Sequence, residues 1–220
     1  MLRITLLLAV FTLSGCMTLN PSGKTASPSP SALPTGVTNL TANEELEPGR
    51  YSFRDFGEPI VSFEVEGGSW TAVQLWPGFF DVEQGDAEDP HVIAVQFALP
   101  TGVHGADGAV LPTDAANAVA LLEANPELEV VETSSSEIDG IQGSQITVEN
   151  TGAEPVRFLD LPPGTIGING DRRLWMAFFD TDEGLLAIMV GGSIEQWDEA
   201  LAAAEPVLES IEIGRPDSST

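Results

Sequence analysis

The chain has 220 residues, with 34 acidic against 8 basic side chains and a formal net charge of −26 at neutral pH. Such a field repels nucleic acid and anionic lipid headgroups, both of which need a positive surface, and the single cysteine excludes a disulfide within the chain. A hydrophobic fraction of 42% is ordinary for a globular protein, and the length suits one domain stabilised by apolar burial.

At the N-terminus Arg3 precedes an apolar run from Ile4 to Leu13, and Leu13-Ser14-Gly15-Cys16 closes it. A charged start, a short apolar stretch and small residues before a cut site predict a secretory signal peptide over residues 1–15. The run is about half of the ~20 residues that a membrane-spanning helix needs. The same string resembles the lipobox of bacterial lipoproteins. That resemblance implies that Cys16 becomes the lipidated first residue of the mature protein. It would be held by a diacyl, palmitate-type anchor on the extracytoplasmic face of the cell membrane, and a stable hold needs more than one chain. Without the resemblance, these residues read as an ordinary signal peptide with an incidental cysteine.

Residues 16–43 read as the lipidated cysteine and a disordered tether, because Met17 to Asn43 is rich in Ser, Thr, Pro, Ala and Gly and carries one charge, Lys24. A flexible segment of that length spans about 30 Å, enough to hold a domain clear of lipid headgroups or through part of a cell wall. A single globular domain is expected over 44–214, with a disordered tail at 215–220.

In chain order, Gly49 to Phe53 and Ile60 to Val65 are predicted strands, rich in β-branched and aromatic residues. Gly67-Gly68-Ser69 turns into a strand from Trp70 to Trp76, Pro77-Gly78 turns again, and Phe79 to Val82 is a short apolar strand. Asp81, Glu83, Asp86, Glu88 and Asp89 read as a solvated acidic loop that loosely attracts cations. His91 to Leu99 is a strand, and Pro100 to Pro112 a Gly-rich surface loop. Thr113 is the expected cap of a helix over Ala115 to Ala124, ended by Asn125-Pro126. Leu128 to Thr133 and Ile141 to Glu149 form a strand pair around Asp139-Gly140, a hairpin-type turn. Further strands are expected at Val156 to Leu159, Thr165 to Ile168, Arg172 to Asp180 and Leu185 to Val190. Ser193 and Gln196 suggest a capping box for a helix with an apolar stripe at Ile194, Trp197, Leu201, Ala204 and Leu208, which Pro206 splits. Ile211 to Ile213 closes the domain.

Strands in runs with two inserted helices predict an α+β fold, a largely antiparallel sheet with the helices packed on it. The order of Gly49–Tyr51, Gly68–Trp70, Phe80–Val82, Asn125-Pro126, Asp139-Gly140 and Ser210-Ile211 resembles a group of bacterial lipoproteins and secreted proteins of unknown function. More loosely it is similar to the Mog1/PsbP-like α/β/α sandwich. The resemblance implies a fold and no reaction; members of that wider fold are mostly accessory or binding proteins.

Candidate chemistry is sparse. The two histidines, His91 and His104, read as surface residues, and no Gly-x-Ser-x-Gly elbow presents a nucleophile; no catalytic residue is assigned. Asp180, Asp182 and Glu183 with Gly184 are the one grouping suited to wrapping Ca²⁺, although the loop lacks the later bidentate glutamate of an EF-hand and fits a polar hairpin turn equally well. Beyond the covalent lipid and that weak Ca²⁺ candidate, no cofactor is implied. Trp70 and Trp76 are placed on one strand face by period-two alternation, as core residues. Trp76 and Phe79 flank the Pro77-Gly78 turn and are the candidate ligand-binding pair for a glycan. Arg172-Arg173 reads as a balance to nearby acids. Together these features predict a membrane-anchored, non-enzymatic accessory or binding module of the cell envelope, with an envelope protein or glycan as partner and no nucleic acid. The alternatives are a small-ligand or glycan carrier, or a weak metal-assisted hydrolase with a carboxylate site.

Overall fold

The computed structural model describes residues 33–85, 92–162 and 164–214. The signal peptide, Cys16, the first half of the tether, His91, Asp86, Glu88, Asp89 and the 215–220 tail lie outside the described residues. Among the described residues, sixteen strands and two helices follow in order. The strands are β1 (Thr38–Asn39), β2 (Glu44–Glu45), β3 (Gly49–Ser52), β4 (Ile60–Val65), β5 (Trp70–Trp76), β6 (Phe79–Gln84), β7 (Ile93–Ala98), β8 (Gly102–His104) and β9 (Val110–Leu111). Helix α1 (Ala115–Glu123) precedes β10 (Glu129–Ile138), β11 (Ile141–Asn150), β12 (Val156–Leu161), β13 (Gly164–Ile168), β14 (Arg172–Thr181) and β15 (Gly184–Ser193). Helix α2 (Trp197–Glu209) and β16 (Glu212–Gly214) end the domain.

A central sheet of eight strands runs in the order β10-β11-β14-β15-β7-β6-β5-β2. Strand β15, Gly-Leu-Leu-Ala-Ile-Met-Val-Gly-Gly-Ser, is apolar almost throughout because both of its faces are buried. At the sheet's edge β10, Glu-Val-Val-Glu-Thr-Ser-Ser-Ser-Glu-Ile, is exposed along nearly its whole length. One face of this sheet packs on α2 and on a four-stranded sheet in the order β1-β3-β4-β16. Its core is a stack of phenylalanines: Phe63, Phe80 and Phe97 lie nearly parallel, with Phe80 and Phe97 centroids 4.4 Å apart. The other face packs on α1 and on a second four-stranded sheet, β13-β12-β8-β9. The fold is therefore mainly β and, apart from the parallel β1–β3 pair, antiparallel among the described residues. The helices do lie on opposite faces, but each shares its layer with a small sheet, so neither outer layer of the expected sandwich is purely helical. No helix among the described residues is long and apolar enough to cross a membrane.

Several local expectations change. The end of the predicted tether is ordered: Thr38 and Asn39 pair with Tyr51 and Ser52, and Leu40 is 2% exposed in the core. The Pro100–Pro112 segment is a short hairpin, β8 with β9, tied to β12. The cap of α1 is Asp114 rather than Thr113, its Oδ1 accepting the Asn117 N–H at 2.8 Å. Ser193 Oγ does accept the Gln196 N–H, but Ser193 ends β15 and α2 begins at Trp197. Pro206 costs α2 a backbone bond without splitting it, since Ala204 and Val207 on either side are pinned in the core. The buried face of α2 is Trp197, Ala200, Ala204 and Val207, so Leu201 is turned outward. The Asp139-Gly140 turn has both residues at positive φ, 50° and 74°, as a two-residue hairpin turn requires.

Candidate functional site

The site is a groove of about 1000 Å³ on the α1-bearing face of the central sheet. Strand register explains why a groove forms there. Across this face one row of paired positions reads Phe79, Ala98, Ala187, Phe178; the next reads Asp81, Gln96, Met189, Met176; the next Glu83, Ala94, Gly191, Leu174. The first row is sealed beneath α1 and the outer sheet. In the third row, Ala94 and Gly191 leave the floor without large side chains. Gly191 is a matter of space rather than of backbone need, since a Cβ there would meet Leu174 Cδ1 at an ordinary 3.5 Å.

The far wall is the segment from Gly167 to Asp171. Buried Asn150 fixes it, its Nδ2 donating to the Glu154 and Ile168 carbonyls at 2.8 and 3.0 Å while its Oδ1 accepts the Gly152 N–H. The Asp171 N–H in turn donates to the Asn150 carbonyl at 2.8 Å. Gln74, Glu83, Gln96, Arg172, Ser193 and Glu195 supply most of the remaining polar lining.

Asp81 sits behind the Gln74–Gln96 side of this groove and is 0% exposed. A β-bulge puts it there. Ala72 pairs with Val82 and Leu75 with Phe80, so β5 uses three steps where β6 uses two. The extra residue withdraws the Gln74 N–H from the ladder, and Asp81 Oδ1 accepts it at 2.6 Å. No donor reaches Asp81 Oδ2 in good hydrogen-bonding geometry, and the Gln96 side chain is the nearby hydrogen-bonding group. Burial pushes the Asp81 carboxyl up to about 7, and the Gln74 N–H works against that rise; Glu83 adds to it and Gln96, across the strand pair, opposes it. Glu83 is also raised by burial, against the pull of Arg172. Arg172 Nη2 donates to the Val92 carbonyl at 2.9 Å, and burial lowers its guanidinium while Glu83 holds it up. Arg173 points to the opposite face, where it is ion-paired with Glu149 and lies 5.6 Å over the Trp197 ring.

The candidates read from sequence fall elsewhere. The same bulge reverses the face parity of β5, so Trp70 belongs to the phenylalanine core and Trp76 to the opposite face. Phe79 is 2% exposed and stacks on Trp76 at 4.9 Å, which leaves no ring pair open to a sugar. Asp180 Oδ1 accepts the Ala115 N–H at 3.0 Å and so caps α1 alongside Asp114. Asp182 and Glu183 stay in the β14–β15 turn, and among the described residues no three acids, histidines or cysteines gather as a metal set. Asp81 and Glu83 belong to strand β6 rather than to a solvated loop. His104 is in β8, its Nε2 buried and without a partner. The reading of Arg172-Arg173 as balancing acids matches the Glu149 and Glu83 interactions. The groove has one signal in the sequence, an aspartate inside the apolar string Phe79-Phe80-Asp81-Val82, which the pattern reading assigned to a solvated acidic loop.

Fold and groove define a three-layer, mainly antiparallel β protein with a polar cleft on its central sheet. No family model and no curated protein matches the sequence. Among solved structures it is similar to the solution structure of cyanobacterial PsbP (CyanoP) from Synechocystis sp. PCC 6803, at 16% identity over 75% of this chain and 91% of that one, with a TM-score of 0.41.

Proposed function

We propose that this chain is a non-enzymatic binding module of the cell envelope, lipid-anchored through Cys16 on the extracytoplasmic side, whose groove takes a small polar ligand. The observation that carries the binding part is the floor of Ala94 and Gly191 ringed by polar side chains, a concave surface on rigid strands. The lipobox carries the anchoring part, and the expected partner remains an envelope component.

The test uses the full chain. Fractionation of cells should place the wild type in the membrane and Cys16→Ala in the soluble fraction. A ligand-observed NMR screen of small polar solutes should give binders that Gly191→Leu, with its side chain over the groove floor, no longer holds. Binders that Gly191→Leu retains, or a wild type that binds none, would refute the groove reading.

A further inference from the structure

We propose that Asn169 is a site of spontaneous deamidation, at which the groove wall ages from an amide to a carboxylate. Asn169 and Gly170 lie in the turn between β13 and β14 and line the groove. The inference does not depend on what the groove binds. An asparagine loses its side-chain amide when the main-chain nitrogen of the next residue attacks its Cγ, so the next residue governs the rate. The chain's other asparagines, Asn20, Asn39, Asn43, Asn117, Asn125 and Asn150, precede Pro, Leu, Glu, Ala, Pro and Thr. Proline has no N–H to lose, and the other four residue types carry a Cβ that crowds the attack. Asn169 alone precedes a glycine, whose missing Cβ leaves the nitrogen open.

The residue pair alone would not make the site; the structure supplies the rest. Asn169 is exposed, and its side chain makes no hydrogen bond among the described residues. The Gly170 N–H likewise donates to no acceptor among the described residues. Elsewhere the same chemistry is held off. Asn150 commits both side-chain atoms, Asn117 Nδ2 donates to Asp114, and Asn125 Oδ1 accepts the Glu127 N–H. The two Asp-Gly pairs, which cyclise by the same route, are also restrained. Asp107 Oδ1 accepts the Ala109 N–H while the Gly108 N–H donates to the Gly105 carbonyl, and Asp139 Oδ2 accepts the Ile213 N–H. Nor can the fold trade the glycine away: a Cβ at Gly170 would run into the Gly152 carbonyl oxygen. Packing therefore fixes the residue that leaves Asn169 open to attack.

The step needs only water. The Gly170 nitrogen gives up its proton and bonds to Asn169 Cγ; the Cγ–Nδ2 bond breaks, and Nδ2 leaves with that proton as ammonia. Water then opens the resulting succinimide. Cleavage at Cγ gives aspartate, and cleavage at the main-chain carbonyl gives isoaspartate, with nothing oxidised or reduced. Either product places a new negative charge beside Asp171 on the groove wall. Isoaspartate also adds a carbon to the main chain of a segment held at both ends by Asn150, through the Ile168 carbonyl and the Asp171 N–H. The extra length must bow the wall or release one of those bonds.

The experiment ages the full chain in mildly alkaline buffer, well below its melting temperature, and follows it by tryptic peptide mass spectrometry from a zero-time control. Cleavage after Arg157 and Arg172 releases Phe158 to Arg172, in which Asn169 is the one side-chain amide, so a gain of about 1 Da reports on it alone. That peptide should convert roughly tenfold faster than any peptide holding another asparagine, with isoaspartate in excess of aspartate. The NMR amides of Ile168 and Asp171 should develop second signals in step with it, and those signals should differ from the ones given by Asn169→Asp, which has the charge without the added carbon. Asn169→Gln, verified as folded by its melt, should keep its mass and its spectrum. An unchanged Phe158 to Arg172 peptide in the aged protein overturns the proposal, above all if a synthetic peptide of that sequence deamidates, because the fold would then protect Asn169. Equal conversion at the other asparagines overturns it as well.

Discussion

Asp81→Asn isolates the most unusual group in the protein. The wild-type carboxyl sits at about 7 in the fold, against an ordinary value of 3.8. A raised acid binds a proton in the folded state over a range where the unfolded chain has released it, so stability falls as pH rises through that range. The loss begins near pH 4 and is complete just above pH 7. Two-state linkage with these values gives about 2.5 kcal/mol between pH 5 and 8, since each pH unit separating the folded and unfolded titrations is worth about 1.36 kcal/mol. Asparagine keeps an oxygen for the Gln74 N–H and has no charge to desolvate, so this component vanishes. Urea unfolding of both proteins at half-unit pH steps, plotted as variant minus wild type, cancels contributions from the other acids. The variant should gain about 2.5 kcal/mol on the wild type between pH 5 and 8, which is about 5–10 °C in melting temperature for a chain of this size. A difference that stays flat to within about 0.5 kcal/mol over that range would refute the reasoning, because Asp81 would then ionise as readily in the fold as out of it.

Other perturbations test the packing. A Cβ at Gly192 would lie 2.7 Å from the Ala200 Cβ, so Gly192→Val should push α2 off β15 and cost about 1–3 kcal/mol in a denaturant melt, whereas Gly191→Ala one residue earlier should be nearly neutral. Phe80→Ala removes a fully buried ring from the stack with Phe63 and Phe97 and should cost about 3–5 kcal/mol. Asp180→Ala releases the Ala115 N–H at the start of α1 and should cost about 1 kcal/mol by the same melts; because this carboxylate is already engaged, millimolar Ca²⁺ should leave the wild-type melting temperature unchanged.

Much of the architecture was legible because strands announce themselves by local pattern. The two helices, the Asp139-Gly140 hairpin and most strands follow from apolar periodicity and turn residues alone. Misreadings arose where a residue's role depends on a partner far along the chain. Thr38–Leu40 looked like tether because two paired residues and one buried leucine are too few to stand out of a Ser/Thr/Pro-rich run; only Tyr51 and Ser52 give them a place. Asp180 looked like a calcium ligand because its neighbours in sequence are acidic, while its actual partner is 65 residues away at the start of α1.

The groove was hidden for a sharper reason. Period-two alternation puts Trp70 and Trp76 on one face, and it holds until a single extra residue enters β5 between Ala72 and Leu75. From there every side chain changes face. Trp76 joins Phe79 beneath the outer sheet, and the displaced Gln74 N–H becomes the donor that holds Asp81. A strand without the bulge would send Trp76 to the phenylalanine core and return the Gln74 N–H to the ladder, so Asp81 would lose that donor. Deleting Val73 therefore makes a stringent test of the coupling. If the bulge positions Asp81, the deletion should cost far more than a loop-length change, and Asp81→Asn in that background should be stabilising even at pH 5, where it gains little in the wild type. If Asp81 is held by its own strand alone, the two changes should simply add.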